Sequence, residues 1–163
     1  MSIQHNHRYS KSLFAGLCLL LSSLSAMAQP KESIQWISFE QLADSLRTKP
    51  KRVLLFFHTD WCAYCRKMQN DVFTDPQLVK RINNDYYAVR FDAESVDSVH
   101  FEGQIFTNEV TKKRTGRYHA LARILAARDG KFVFPATLFL EPDFTVRHRH
   151  FEYLDRNRVL KLL

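Results

Sequence analysis

Apolar residues recur along this chain in two rhythms, and the rhythm changes at turn-forming residues. Over Ser38–Pro50 the spacing is helical. Phe39, Leu42 and Leu46 form one stripe, Ser38 with Gln41 has the pattern of a capping box, and Pro50 stands just past the end. "RVLLFFH", Arg52–His58, is a continuous apolar run, as required of a strand covered on both faces. A second helix is predicted from Cys62 to Phe73, and a third from Asp75-Pro76 with Leu78, Val79 and Ile82 inward. "YYAVRFDAE", Tyr86–Glu94, predicts the next strand, and strand–helix–strand implies parallel neighbours joined by a right-handed crossover. Residues 95–115 read as a short hairpin around Gly103, involving Phe101, Ile105 and Phe106, within a polar loop.

The second half predicts a helix over Arg117–Gly130, with Tyr118, Leu121 and Leu125 on one face and Gly130 as its stop. Lys131–Glu141 reads as a strand interrupted by Pro135, Pro142–Phe144 as a tight turn, and Thr145–Tyr153 as a returning antiparallel strand. Leu154–Leu163 begins a final helix, short or frayed. No internal repeat, low-complexity stretch or linker divides the chain.

The first 28 residues follow a different logic. Arg8 and Lys11 precede the apolar run Leu13–Leu24, and Ala26-Met27-Ala28 is a small-x-small cleavage pattern before Gln29. This is the pattern of a cleaved secretory signal peptide; the rival reading is an uncleaved membrane anchor, for which the apolar run is short against a span of ~20 residues. The mature protein is then a single domain, residues 29–163, with no stable membrane insertion and a periplasmic or secreted location. Cys18 leaves with the leader, so Cys62 and Cys65 are the two cysteines that remain, in a compartment where disulfides persist.

Composition fits one domain with a sizeable core: 163 residues, 45% apolar, with thirteen Phe and six Tyr against four Gly. Removal of Arg8 and Lys11 lowers the formal net charge from +7 to +5. That excess is scattered apart from Lys112–Arg114 and Arg147–His150. It reads as solvated surface; an acidic protein or a membrane surface is the other reading, and a nucleic acid partner is not expected of an exported protein.

The chemistry concentrates in "HTDWCAYCRKM", His58–Met68. A cysteine at the start of a helix that follows a buried strand faces free backbone N–H groups and the positive end of the helix dipole, which favour thiolate over thiol. Cys65 lies one turn deeper on the same side, within reach of the Cys62 sulfur. Two close thiols of unequal exposure suit disulfide exchange through a mixed disulfide at the outer sulfur. Two other readings remain. A purely stabilising disulfide gains little, because a four-residue loop removes much less entropy than the ~3 kcal/mol of a 15-residue loop. A metal centre has Cys62, Cys65 and His58 to draw on, with His148 and His150 on a distant strand, short of a compact tetrahedral zinc set; two-cysteine copper(I) ligation is chemically possible. The residues themselves imply no organic cofactor and no bound metal.

"WCAYC" after a buried strand, with a proline inside the later apolar strand "FVFPATLFL", resembles the thioredoxin family. More narrowly, "DWCAYCRKM" followed by "VFTDPQLV" and "FDAE" is similar to exported bacterial thioredoxin-like proteins. The resemblance covers roughly residues 36–155. It implies an α/β thioredoxin-like fold, a central mixed β-sheet flanked by helices on both faces. It implies an exported thiol–disulfide oxidoreductase acting on other disulfide-containing exported proteins, recycled by a redox partner. Cys62 becomes the attacking cysteine and Cys65 the resolving one. Trp61, Phe134 and Pro135 bind substrate, and Pro135 takes the place of the family's cis-proline. The sequence departs from the family in two ways. Phe56 occupies the position where many members carry a buried acid, leaving Asp60 and Glu94 as substitutes or simply as solvated or capping acids. Ala63-Tyr64 lies between the cysteines, without the histidine of several strongly oxidising members, which leans the reading towards a reductase. His58 reads as a charge partner of Cys62 or as a histidine without catalytic role. The alternative at this level is a thioredoxin-fold binding module or copper(I)-handling protein using the same cysteines.

Overall fold

Strand β2, Arg52–His58, shows why an uninterrupted apolar run is needed. Val53, Leu55 and Phe57 point into one buried cluster, and Leu54 and Phe56 into the other. In the computed structural model, which describes residues 32–163, β2 is the middle strand of a five-stranded mixed sheet. β3, Tyr86–Asp92, lies parallel on one side, and β1, Trp36–Ile37, lies parallel beyond it. On the other side β8, Ala136–Leu140, runs antiparallel, followed by antiparallel β9, Val146–His150. The predicted leader, residues 1–28, lies outside the described residues, among which no helix is long and apolar enough to cross a membrane.

Helices cover both faces of this sheet, as expected. On one face α1, Phe39–Thr48, contributes Phe39 and Leu42, and α4, Ala120–Leu125, contributes Leu121 and Ala122. On the other, α2, Ala63–Lys67, α3, Pro76–Asp85, and α5, Arg156–Leu162, contribute Cys65, Leu78, Ile82 and Val159. The capping box at α1 is present: Ser38 Oγ accepts from Gln41 N at 3.2 Å, and Gln41 Oε1 accepts from Ser38 N at 2.9 Å. Asp75 caps α3, accepting from Gln77 N and Leu78 N ahead of Pro76 at the first helical position.

The structure differs from the pattern-based expectation chiefly in two helices. The helix predicted over Cys62–Phe73 becomes α2 plus one wider turn, Met68–Val72, closed by Phe73 N donating to Met68 O at 2.9 Å. The helix predicted over Arg117–Gly130 is only six residues long. After it the chain makes a hairpin of β6, Ala127–Arg128, and β7, Lys131–Phe132, around Asp129 and Gly130 at φ 51° and 71°. An Asp-Gly pair with two positive φ values is a favoured two-residue hairpin turn, and here it prevails over helix continuation. The Gly103 hairpin is present as β4, Val99–Phe101, and β5, Gln104–Phe106. Of the two readings of the final helix, short or frayed, the structure has the short one, seven residues long. Asp155 caps it, Val159 is buried, and Leu163 O accepts from Arg52 Nη1 at 2.9 Å and Tyr86 Oη at 3.0 Å.

Candidate active site

The site begins where β2 ends. Its last residue, His58, leads into the turn Thr59-Asp60-Trp61, closed by Cys62 N donating to Thr59 O at 3.3 Å. Cys62 is the N-cap of α2, in extended backbone, and its Sγ accepts from Cys65 N at 3.0 Å. The first turn of the helix therefore directs an N–H group at the outer sulfur. Cys62 and Cys65 form a disulfide, with S–S 2.03 Å and Cα–Cα 5.2 Å. Cys62 keeps 5% exposure and Cys65 none, which orders the two sulfurs as outer and inner.

The other predicted site residues collect around this pair. Ala136 is in register with Phe57, so Phe134 and Pro135 stand beside the end of β2 from which the motif departs. The Phe134–Pro135 peptide bond is cis. The Phe134 ring meets the Trp61 indole edge-on, with centroids 6.2 Å apart. Trp61 is half exposed. Tyr64, inside the motif, is more exposed still and lies 6.0 Å from the Tyr153 ring. Behind Phe134, Tyr118 packs at 5.5 Å, and Phe132 packs on Tyr118 at 4.1 Å. An aromatic wall thus runs from Trp61, next to Cys62, through Phe134 to Tyr118 and Phe132. Sequence reasoning placed Tyr118 on a helix face and passed over Phe132. The alternation of Phe132 and Phe134 ahead of Pro135 was the available signal.

The two candidate acids separate. Asp60 is exposed and ion-paired with Lys113 at 2.5 Å, and the hydrogen bond from Lys113 holds its carboxyl below the usual range despite burial acting the other way. Lys113 also bridges to Asp92. Glu94 is not a solvated acid. It is 2% exposed, and its Oε1 accepts from Trp61 Nε1 at 3.1 Å and from Gly116 N at 2.6 Å. One buried carboxylate therefore fixes the tryptophan of the motif and a loop 22 residues downstream. Phe56 is fully buried in the apolar cluster that also contains both cysteines.

His58 stacks on Phe56 with centroids 6.0 Å apart, and burial lowers its pKa, with the facing Asp92 opposing. It is a packed neutral ring at the strand end. His148 and His150 lie on β9, two strands across the sheet from β2, packed on Phe139. Among the described residues no group of three or more His, Cys, Asp or Glu side chains is placed to hold a metal ion.

A family model described as a thioredoxin-like domain matches residues 39–163. No curated protein matches the chain significantly. Among solved structures, one described as DsbH oxidoreductase aligns at TM-score 0.54 and 19% identity, over 88% of this chain and 94% of that one. A thioredoxin from Thermus thermophilus aligns at TM-score 0.56 and 20% identity, over 80% and 84% of the two chains. A thioredoxin-fold protein from Helicobacter pylori aligns at TM-score 0.54 and 15% identity, over 81% and 74%. At these identities the likeness is one of fold.

Proposed function

The chain belongs to the thioredoxin-like domain family, and from that premise we propose that it is a thiol–disulfide oxidoreductase, exported by its leader and acting on other exported proteins. One observation carries this reading: a disulfide whose outer sulfur caps a helix and whose inner sulfur is fully buried. In the reduced protein the Cys65 N–H aimed at Cys62 Sγ favours the anion there, and the thiolate is the nucleophile.

The exchange balances as follows. Cys62 thiolate attacks one sulfur of a substrate disulfide, forming a mixed disulfide, and the other substrate sulfur leaves as a thiolate that takes a proton from solvent. Cys65 thiolate then attacks Cys62 Sγ, which re-forms the Cys62–Cys65 bond and releases the second substrate thiolate. The substrate gains two electrons and the protein's dithiol loses two, so a thiol-bearing partner must restore the reduced pair. Trp61, Phe134 and the backbone before Pro135 supply the docking surface. The reductive direction is favoured by the absence of a histidine between the cysteines.

Insulin-disulfide reduction with a dithiol as electron donor tests the proposal. Cys62→Ser is expected to abolish it, and Cys65→Ser to accumulate a mixed disulfide visible as a mass increment that dithiothreitol removes. Full activity in the Cys62→Ser protein would sink the reading.

A further inference from the structure

The loop between β5 and α4 is clamped to the motif twice. Lys113 spans Asp60, two residues before Cys62, and Asp92 at the end of β3. Three residues on, Gly116 N is held by Glu94, the same carboxylate that holds Trp61. These clamps bring the basic run Lys112–Arg117 alongside the disulfide, where no helix or strand would otherwise put it. Lys112, Arg114 and Arg117 are exposed, as is Arg66 on α2, whose guanidinium binds the Asp60 carbonyl. None of these four has a carboxylate within ion-pair distance among the described residues. The acids of the same face are engaged: Asp60 and Asp92 by Lys113, Glu109, which shares a surface depression with Lys112 and Arg114, by Arg123, and Glu94 out of solvent. Counting Lys113 and Arg123, six cations of this rim face four carboxylates. The motif itself adds the exposed apolar side chains Trp61 and Tyr64.

We propose that this face selects acidic polypeptides, taking disulfides flanked by apolar residues and by Asp or Glu. The proposal rests on the exchange reading and names its substrate class. Attraction between the rim and a negative segment acts over a Debye length, about 8 Å at physiological salt, so it raises encounter rates without fixing one geometry. A basic segment meets the same rim as repulsion, which is a penalty on the wrong substrate.

The test uses three otherwise identical disulfide-closed peptides with Glu, Gln or Lys flanking the apolar segment. Oxidation of the reduced protein by each is followed by mass spectrometry after acid quenching. At low salt the expected order is Glu over Gln over Lys, with about tenfold between the extremes. Near ~0.5 M salt, where the Debye length falls towards a few ångströms, that ratio contracts to under about twofold. The triple variant Lys112→Ser, Arg114→Ser, Arg117→Ser is expected to contract the low-salt ratio to the same degree, and the charge-reversing triple to Glu is expected to invert the order. Equal rates for the three peptides with the unaltered protein, or a ratio untouched by both triple variants, would overturn the acidic-substrate inference and leave the exchange reading standing. A protein oxidised by none of the peptides would overturn the exchange reading itself.

Discussion

The indole N–H of Trp61 donates to the buried carboxylate of Glu94 at 3.1 Å, across 33 positions of sequence. Because Gly116 N donates to the same oxygen, Glu94→Ala strands two donors at once. An unsatisfied buried donor costs about 1–3 kcal/mol, and because both of these hydrogen bonds are only part-buried the loss falls at the low end. The expected result is a stability loss of that order in urea titration, with faster amide exchange at Gly116. Glu94→Gln, which keeps an acceptor, is expected to lose less. Equal losses in the two variants would mean that the carboxylate contributes by charge or volume and not as a shared acceptor.

Truncating the aromatic wall should separate peptide docking from thiol chemistry. An edge-to-face aromatic pair contributes about 0.5–1.5 kcal/mol beyond area burial, roughly a two- to tenfold effect on binding. Phe134→Ala is therefore expected to raise KM for a peptide disulfide several-fold, with a smaller effect on a compact disulfide reagent that does not reach the Trp61–Phe134 contact. A uniform loss with both substrates would place Phe134 in the support of the cysteines and not in docking.

His119 gives the domain an acid-side weakness. The ring is buried; its Nδ1 accepts from Leu121 N at 3.2 Å, and its Nε2 lies 3.1 Å from Asp97 O and 3.2 Å from Phe106 O. Only a neutral ring with the proton on Nε2 satisfies all three. Burial lowers its pKa from the usual 6.5, against the pull of the two carbonyls. The unfolded chain thus takes up the proton first, and stability falls as pH drops from about 7 until the folded ring also titrates. His58 and His150 are shifted the same way, burial being the leading cause in each. Depressed carboxylates such as Asp75, where hydrogen bonds from Leu78 and Arg156 outweigh burial, add a separate loss below about pH 4. Urea midpoints between pH 7.5 and 5 should therefore decline, and less steeply in His119→Asn, which keeps a helix-capping side chain. An identical slope in that variant would remove His119 from the account.

Asp75 joins two helices. Its Oδ1 caps α3 and its Oδ2 accepts from Arg156 Nε at 2.6 Å, at the start of α5. Loss of an N-cap costs about 0.5–2 kcal/mol, whereas an exposed ion pair contributes about 0–1. Asp75→Ala is expected to destabilise by one to two kilocalories, roughly the sum of these, and Arg156→Ala by clearly less. Chemical denaturation of both variants checks the ranking.

The framework of the sheet was legible because its signals are local. Val53–Phe57 has no polar residue to place outward, Ser38 with Gln41 announces a helix start, and Asp75-Pro76 does so again. The cysteine pair was legible for the same reason. The short α4 was not, since its N-cap is His119, a residue without strong capping preference, and its end is decided by the Asp129-Gly130 turn. Strand β1, only two residues long, is defined by its pairing with Ala88 and Val89. Glu94 was left open between a substitute acid and a solvated or capping one because both its partners are distant in sequence. No local pattern could tell a carboxylate that a tryptophan and a loop amide would converge on it.

The outer strands of the sheet carry a consequence for self-association. Free strand edges invite pairing with other copies, and proteins guard them by shortness or charge. Here one edge is the two-residue β1. The other, β9, sets exposed Arg147 and Arg149 between the inward rings of His148 and His150. Two such edges brought together would set arginine beside arginine, with Glu141 paired to Arg147 alone, so charge on this strand disfavours fibre-like growth from that edge.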